Sequence, residues 1–448
     1  MKWLVNSPII LLLWAHSNVA VHAAPMTMRD VTHYALEHNP ALHAAEAASN
    51  ASRYRHRAAK GQRLPRLDLS YVVRRSNNPL DVFADKLNTR QLTSADFDPL
   101  QLNNPDISEI HNTRLNLSLP IYTGGRLGAQ IRQAGEVASA HKYRYLRQRD
   151  FIIFQTQAAY HALGAAIRAT TITRDALTAA KKHAKTTRKL VRDGRIVLSD
   201  KLTAEVYQAS MRGIHQQALT QRQLAESHLR RVMGLPPQDP LQIPTWSKPD
   251  ASINIETRDK VTQRALTKRQ DLSAMQALIR ASEAGLRVEQ AAYKPRVDLI
   301  ASNDWFASNP ALSNRSWRVM GAVQLNLFAG GSHNNNIAAA HHEATNRQLQ
   351  LKNLELDILD EVQQAYERLN SAILRYQIAI ANVTKANKTV GLVNERYGQG
   401  RTLLIDLLQA ERTLLETRNE ALASALTIKT QWAALHLASG NIADPPVR

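Results

Sequence analysis

The sequence predicts a mainly α-helical protein with four β-strands, each of which carries one apolar and one polar face. Three observations predict this. They are two long runs without proline, four segments in which apolar and polar residues alternate, and an internal duplication that places one such run and one pair of such segments in each half. The chain has 448 residues, of which 5% are aromatic, 17 are glycine and 17 are proline. All-β sandwiches and ordinary porins need more turn-forming and aromatic residues, so the composition argues against both.

The first 23 residues predict a cleaved secretion signal. Lys2 supplies the positive end, residues 9–15 are a short apolar stretch, and Val21-His22-Ala23 is a small-x-small cleavage site that cuts after Ala23 or Ala24. The chain contains no cysteine, which rules out disulfides, thiolate metal sites and a cysteine nucleophile. The formal net charge of +19 would fit nucleic acid, but a secreted chain rarely meets it, and we expect no nucleic-acid partner.

The chain repeats itself. The segment from Leu64 to Leu69 matches Lys294 to Leu299 at an offset of 230 residues. The segment from Leu119 to Gly125 matches Leu325 to Gly331 at an offset of 206. The predicted organisation is a signal at 1–23, a first structural repeat at 24–240, a linker at 241–252, a second repeat at 253–442 and a tail at 443–448. The fall in offset indicates extra residues between 70 and 112, which we expect to form a long surface loop.

Each repeat is predicted to contain a helix, a strand pair, a long helix and a shorter returning helix, in that order. In the first repeat they cover about 27–63, 65–122, 126–192 and 199–233. In the second repeat they cover about 254–292, 295–328, 332–397 and 403–439. The long helices would each extend roughly 100 Å at 1.5 Å per residue. Glycine-containing turns at 192–195 and 397–401 suit helix C-caps, so each repeat has strands at one end and a helical tip at the other.

The predicted strands carry one apolar and one polar face. Leu67, Leu69 and Tyr71 alternate with Asp68 and Ser70, and the other strands follow the same rule. A soluble sheet would turn the apolar face inward, whereas a membrane barrel turns it toward lipid around a wet interior. Four strands cannot close a barrel, and lipid does not tolerate an open edge. If these strands meet lipid, several chains must share one barrel.

The arrangement resembles the TolC family of outer-membrane efflux and secretion channels over essentially the whole mature chain. The resemblance rests on the duplicated Pro-Arg-x-Asp-Leu strand entry, the strand exits at Gly124-Gly125 and Gly330-Gly331, and the tip segments beginning at Gly194 and Gly400. It implies a homotrimer whose twelve strands, four per chain, close one barrel in the lipid of the bacterial outer membrane. A long α-helical barrel continues it through the periplasm, with no enzymatic activity and no cofactor or metal.

The resemblance also implies partners and an iris-like gate. The tip would open when a periplasmic adaptor (membrane fusion) protein links the channel to an inner-membrane RND, ABC or MFS transporter. The implied site residues are the constriction positions Asp406 and Gln409, the gate tethers Asp200, Tyr397, Arg401 and Thr402, and the adaptor-contacting tips Gly194, Arg195, Ile196, Gly400, Arg401 and Thr402.

The chain departs from the family pattern at two gate positions. The second carboxylate of the constriction falls on Gln409, which halves the acidic ring, and the tethering arginine falls on Thr402, one residue after Arg401. Other interpretations stay open: Asp200 and Asp406 as solvated first-turn carboxylates, and Tyr397 as an ordinary packed side chain. The alternative function is a secreted structural coiled-coil or polyanion-binding protein that uses the +19 charge.

Overall fold

The computed structural model describes residues 25–239, 241–244, 246 and 255–442. The predicted signal, the tail and most of the linker lie outside these residues. The first repeat contains α1 (Met28–His38), α2 (Pro40–Gly61), β1 (Arg66–Ser76), α3 (Pro79–Asn88), α4 (Pro99–Asn103), β2 (Ser108–Tyr122), α5 (Arg126–Arg192) and α6 (Leu198–Met233). The second contains α7 (Arg258–Lys268), α8 (Gln270–Gln290), β3 (Arg296–Ala307), β4 (Arg315–Gln324), α9 (Ser332–Gly398) and α10 (Leu404–Ala438).

The strands form one antiparallel sheet in the order β1-β2-β3-β4. The register aligns Leu67 with Leu117 and Leu117 with Ala301, and this face is apolar across the sheet. The opposite face aligns Asp68 with Asn116 and is polar. The apolar face is not covered by other parts of the chain, and Leu69, for example, is 71% exposed. The sheet therefore has the two faces that the alternation predicted, with the apolar face outward.

The helices form a long layer that extends from one end of the sheet. The two long helices α5 and α9 have 67 residues each, which corresponds to about 100 Å. The returning helix α6 packs along α5, and α10 packs along α9, while α8 contacts both long helices. Their cores consist of small and aliphatic residues such as Ala180, Ile358 and Leu369. Within the described residues, no helix is both long enough and apolar enough to cross a membrane.

The first helix of each repeat is broken, whereas the sequence predicted single helices at 27–63 and 254–292. Asn39 has an extended ψ of 119° because the following Pro40 disfavours the helical conformation. Its Oδ1 then caps α2 by accepting the N–H of Ala41 at 2.8 Å. In the second repeat the break falls at Arg269, which no proline marks. That guanidinium is only 2% exposed and is bound by Asp271 and Glu361.

Both helix breaks dock on the C-terminal end of the returning helix of the same repeat. Asn39 Nδ2 donates to the carbonyl of Val232 at 2.6 Å, and Arg269 donates to the carbonyl of Ala438 at 3.4 Å. Two residues after each contacted carbonyl stands a glycine with positive φ, Gly234 or Gly440, and a Cβ on Gly234 would lie 2.5 Å from the carbonyl oxygen of His38. Close approach of two backbones therefore requires glycine at this junction.

The segment between β1 and β2 is helical, which corrects the expectation of a surface loop. Asn78 caps α3 by accepting the N–H of Leu80 at 3.0 Å. Asp96 forms a capping box with Thr93. The hydrogen-bonded ion pair with Lys86 and the hydrogen bonds from Thr93 lower the pKa of Asp96 to about 2. Short helices form here because local caps satisfy their exposed N–H groups.

Replacement of Gly234 by alanine should destabilise the protein. The left-handed backbone alone costs an L-residue about 1–2 kcal/mol, and the new Cβ would clash with the backbone of His38. The matched control is Gly213→Ala in the interior of the same helix, where nothing lies within 4 Å of the added atom and helix propensity gains roughly 0.5–1 kcal/mol. Thermal denaturation followed by circular dichroism should separate the two variants, and equal stability would contradict the docking role of Gly234.

Candidate functional site

Each of the two long helices ends in a turn of the same type, at the end of the molecule remote from the sheet. Gly194 and Gly400 are left-handed, with φ of 70° and 71°. The N–H groups of Arg195 and Arg401 each donate to the carbonyl five residues earlier, at 2.9 Å in both turns. This is the Schellman arrangement, in which glycine satisfies the last carbonyls of a helix. The duplicated tip sequences thus fold into duplicated turns that lead directly into α6 and α10.

The turns present apolar and basic side chains to the outside. Arg195 and Arg401 are exposed, whereas Ile196 and Thr402 are half-buried. Large apolar side chains that are more than half exposed follow each turn: Val197, Leu198 and Leu202 in the first repeat, and Leu403 and Ile405 in the second. These exposed apolar side chains at the tip are available for contact with another chain.

Asp406 and Gln409 lie on one exposed face of α10, one turn apart. The carboxylate of Asp406 accepts the hydroxyl of Thr402 at 2.7 Å and the N–H of Leu403 at 3.3 Å. Asp406 therefore caps its own helix, as the first-turn interpretation expects, and still presents its charge to solvent. Thr402, at a predicted tether position, has the predicted constriction residue as its partner.

Tyr397 and Asp200 are brought to the same part of the tip but are not joined by a hydrogen bond. The ring of Tyr397 packs with Ala204 and Leu404 in a small apolar cluster at the base of the turns. Its Oη is buried and has no hydrogen-bond partner among the described residues. Asp200 is half-buried and lies one helical turn before Ala204, on the side of α6 that faces this cluster.

A pair of glutamates behind the cluster was not predicted as part of the site. Glu411 lies 3.3 Å from Nε2 of His183, and both side chains are largely buried. Glu205 lies 2.9 Å from Nε of Arg188. These contacts tie α5 to α10 and α6 respectively, and the burial of Tyr207 beside Glu411 raises the pKa of that phenol to about 12. The sequence could have indicated these two glutamates, because Glu205 and Glu411 occupy equivalent positions in the two repeats.

The site contains no constellation for bond-breaking chemistry within the part of the chain that the structure describes. No group of three or more His, Asp or Glu side chains there could hold a metal ion. The arrangement consists of exposed turns, an exposed acidic and amide pair one helical turn apart, and buried contacts between helices.

A family model described as outer membrane efflux protein matches the chain over residues 31–235 and 261–441, once in each half. No curated protein matches it significantly by sequence.

Solved structures match the fold closely. A membrane protein from Pseudomonas aeruginosa aligns with a TM-score of 0.79 and 19% identity, over 92% of this chain and 90% of that chain. The outer membrane protein VceC from Vibrio cholerae aligns with a TM-score of 0.77 and 19% identity, over 92% and 96%. The open state of the MtrE outer membrane channel from Neisseria gonorrhoeae aligns with a TM-score of 0.76 and 18% identity, over 92% and 88%.

Tyr397→Phe should leave the thermal stability unchanged or slightly higher, because the hydroxyl that it removes is buried without a partner. Tyr397→Ala should cost on the order of 2 kcal/mol, because it removes the ring from the apolar cluster. Circular dichroism melts of the two purified variants test this. A loss in the phenylalanine variant as large as in the alanine variant would mean that the hydroxyl is bonded in the folded protein.

Proposed function

The chain belongs to the outer membrane efflux protein family, and we propose that it forms the exit duct of a tripartite efflux or type I secretion system. As a member of this family it is an outer-membrane transport channel and not an enzyme. The observation that carries the proposal is the open four-stranded sheet with an uncovered apolar face. Its strands lead into helices about 100 Å long. A lipid-facing sheet joined to such helices suits a conduit that leaves the membrane and extends into the periplasm.

The proposed assembly is a homotrimer. The outer edges of β1 and β4 have no partner strand within the described chain. In hydrocarbon each unpaired N–H and C=O is costly, so β4 of one copy would pair with β1 of the next until the ring closes. Three copies supply twelve strands, which is within the range of closed membrane barrels. The polar faces then enclose the wet interior.

We further propose that the tips receive a periplasmic adaptor protein, which couples the duct to an inner-membrane RND, ABC or MFS transporter. The exposed apolar residues beside Arg195 and Arg401 support this, since a monomer gains nothing from exposing them. The predicted contact residues Gly194, Ile196 and Gly400 belong to the same two turns.

The proposed gate is the ring that Asp406 and Gln409 would form where the three copies converge. Their shared exposed face supports this placement. Asp200, Tyr397, Arg401 and Thr402 are proposed to hold the ring closed. The buried hydroxyl of Tyr397, which has no partner among the described residues, supports a tether role, because a buried donor gains free energy when it finds an acceptor such as the carboxylate of Asp200.

Fractionation tests the proposed duct directly. We expect the protein in the outer membrane, running as a trimer before heating and as a monomer after it, and forming ion-conducting pores in planar bilayers. Recovery as a soluble monomer would contradict the proposal. That outcome would instead favour the secreted coiled-coil or polyanion-binding alternative.

Gln409→Glu should increase the preference of the pore for cations. The substitution adds one carboxylate per copy beside Asp406, and the resulting ring attracts cations in a narrow, weakly screened opening. The reversal potential in a salt gradient should move toward the cation limit, and a multivalent cation on the tip side should block more strongly. Gln217→Glu, an exposed position far from the tip, makes the same change in charge and should leave both readouts unaltered. An equal effect of the two variants would place the charge filter elsewhere.

A further inference from the structure

The residues between β1 and β2, 77–107, form a compact unit that we name the exit cap. It contains α3 and α4 and follows Ser76, at the end of the sheet opposite to the long helices. The helical end of the sheet is marked by Arg66 and Tyr122, which lead from α2 and into α5. The hairpin between β3 and β4 has only a short turn at 308–314 in the corresponding place. If the helices lie in the periplasm, the exit cap lies outside the cell.

The exit cap packs on the polar face of the sheet. Arg74 forms ion pairs with Asp81, at 3.0 Å, and with Asp85. The hydroxyl of Ser76 donates to Asp81 at 2.9 Å, and that of Ser108 donates to Asp85 at 3.1 Å. Arg74, Ser76 and Ser108 all belong to the polar set in the strand register.

The same contact also has an apolar component. Ile110, which is paired with Arg74 in the register, and Val82 of α3 are both buried. Polar ties and apolar packing thus fix α3 against the face that encloses the interior of a closed barrel.

The exit cap also reaches the far edge of the sheet. Arg90, after the end of α3, donates from Nη2 to the carbonyl of Arg315 at the start of β4, at 3.3 Å. Its φ of 58° is the left-handed conformation that usually belongs to glycine, and Gln91 N–H closes the turn on the carbonyl of Lys86 at 2.9 Å. The exit cap thus contacts β1, β2 and the start of β4 at this end of the sheet.

The side of α3 that faces away from the sheet is apolar. Val82 and Asp85 are buried on the side of α3 toward the strands, and the C-cap residue Thr89 is buried on the same side. Leu80 and Leu87 lie on the opposite side and are 81% and 50% exposed. Because the sheet curves around the interior in the proposed barrel, this side of the helix points toward the barrel axis.

We propose that Leu80 and Leu87 of the three copies line an apolar constriction at the outer mouth of the duct, separate from the tip. This proposal rests on the proposed trimeric duct. An apolar constriction resists hydrated ions, because it offers no group to replace their water, and it admits apolar and amphipathic solutes more readily. The exit cap would therefore favour amphipathic small molecules over free ions as cargo.

Single cysteines test the constriction, because the chain has none of its own. Leu87→Cys and Leu80→Cys should react with a bulky thiol reagent added from the outer side of a planar bilayer. Conductance should then fall by about twofold or more, in up to three steps, as the mouth becomes the narrowest point. Leu312→Cys, an exposed leucine in the β3–β4 turn, is the matched control and should label without a change in conductance.

A bifunctional maleimide applied to the same trimers gives an independent readout. Copies that carry Leu87→Cys or Leu80→Cys should be linked into covalent dimers, whereas copies that carry Leu312→Cys should not. The constriction would be overturned if the trimers conduct but neither α3 cysteine changes the conductance or forms a cross-link. That result would leave the proposed duct intact. Failure of the unsubstituted chain to form conducting trimers would instead overturn the proposed function.

Discussion

The unpaired edges of the four-stranded sheet constrain the structure more than any other feature. Water can satisfy the free N–H and C=O groups of β1 and β4, but hydrocarbon cannot, and each such group then costs several kcal/mol. The apolar face of the sheet fits lipid, yet a single copy cannot enter lipid without exposing both edges. Closure with further copies removes both costs together. Because the helices continue directly from the sheet, closure of the strands also arranges the helices around the same axis.

The duplication explains how one folding unit supplies both halves of the chain. Both helix breaks dock on the glycine that ends the returning helix, and both tips use the same left-handed turn. The chemistry at equivalent places has nevertheless diverged. At the first break, the side chain of Asn39 caps the following helix by accepting a backbone N–H. At the second break, the buried Arg269 forms ion pairs with two carboxylates. Because Arg269 is buried, the loss of either carboxylate would leave a charge that is expensive to desolvate, so the second junction depends on its partners more than the first.

Most of the secondary structure could be predicted from the sequence because it depends on local signals. The long helices follow from the absence of proline, and the strands follow from alternating polarity. The break at Arg269 could not be predicted, because Glu361 and Ala438 cause it and both are distant in sequence. The helices of the exit cap were predicted as loop although Asn78-Pro79 and Thr93 with Asp96 are recognisable caps. At the tip, the family resemblance assigned gate roles to Tyr397 and Asp406, and these roles stay predictions. The partner of Thr402 and the orphaned hydroxyl of Tyr397 depend on packing that no spacing reveals.

The distribution of charge on the polar face of the sheet bears on how the proposed duct would select its cargo. Each carboxylate there is matched by a nearby arginine: Asp68 by Arg66 at 2.9 Å, Asp298 by Arg296 at 2.6 Å and Asp304 by Arg114 at 2.6 Å. The opposite charges of each pair nearly cancel at long range, which leaves Arg318 of β4 as a charge on this face without an ion pair among the described residues. The outer section would then discriminate mainly by width and by the cost of dehydration at an apolar mouth, while attraction of cations falls to the carboxylates of the tip. At the tip, the three Asp406 carboxylates of the trimer would attract cations without the help of a second acidic ring. The net charge of +19 on each chain would oppose that attraction. The apolar mouth would slow hydrated ions relative to amphipathic solutes, and the acidic tip would add a preference among ions by charge, so the two filters would act on different properties of the cargo.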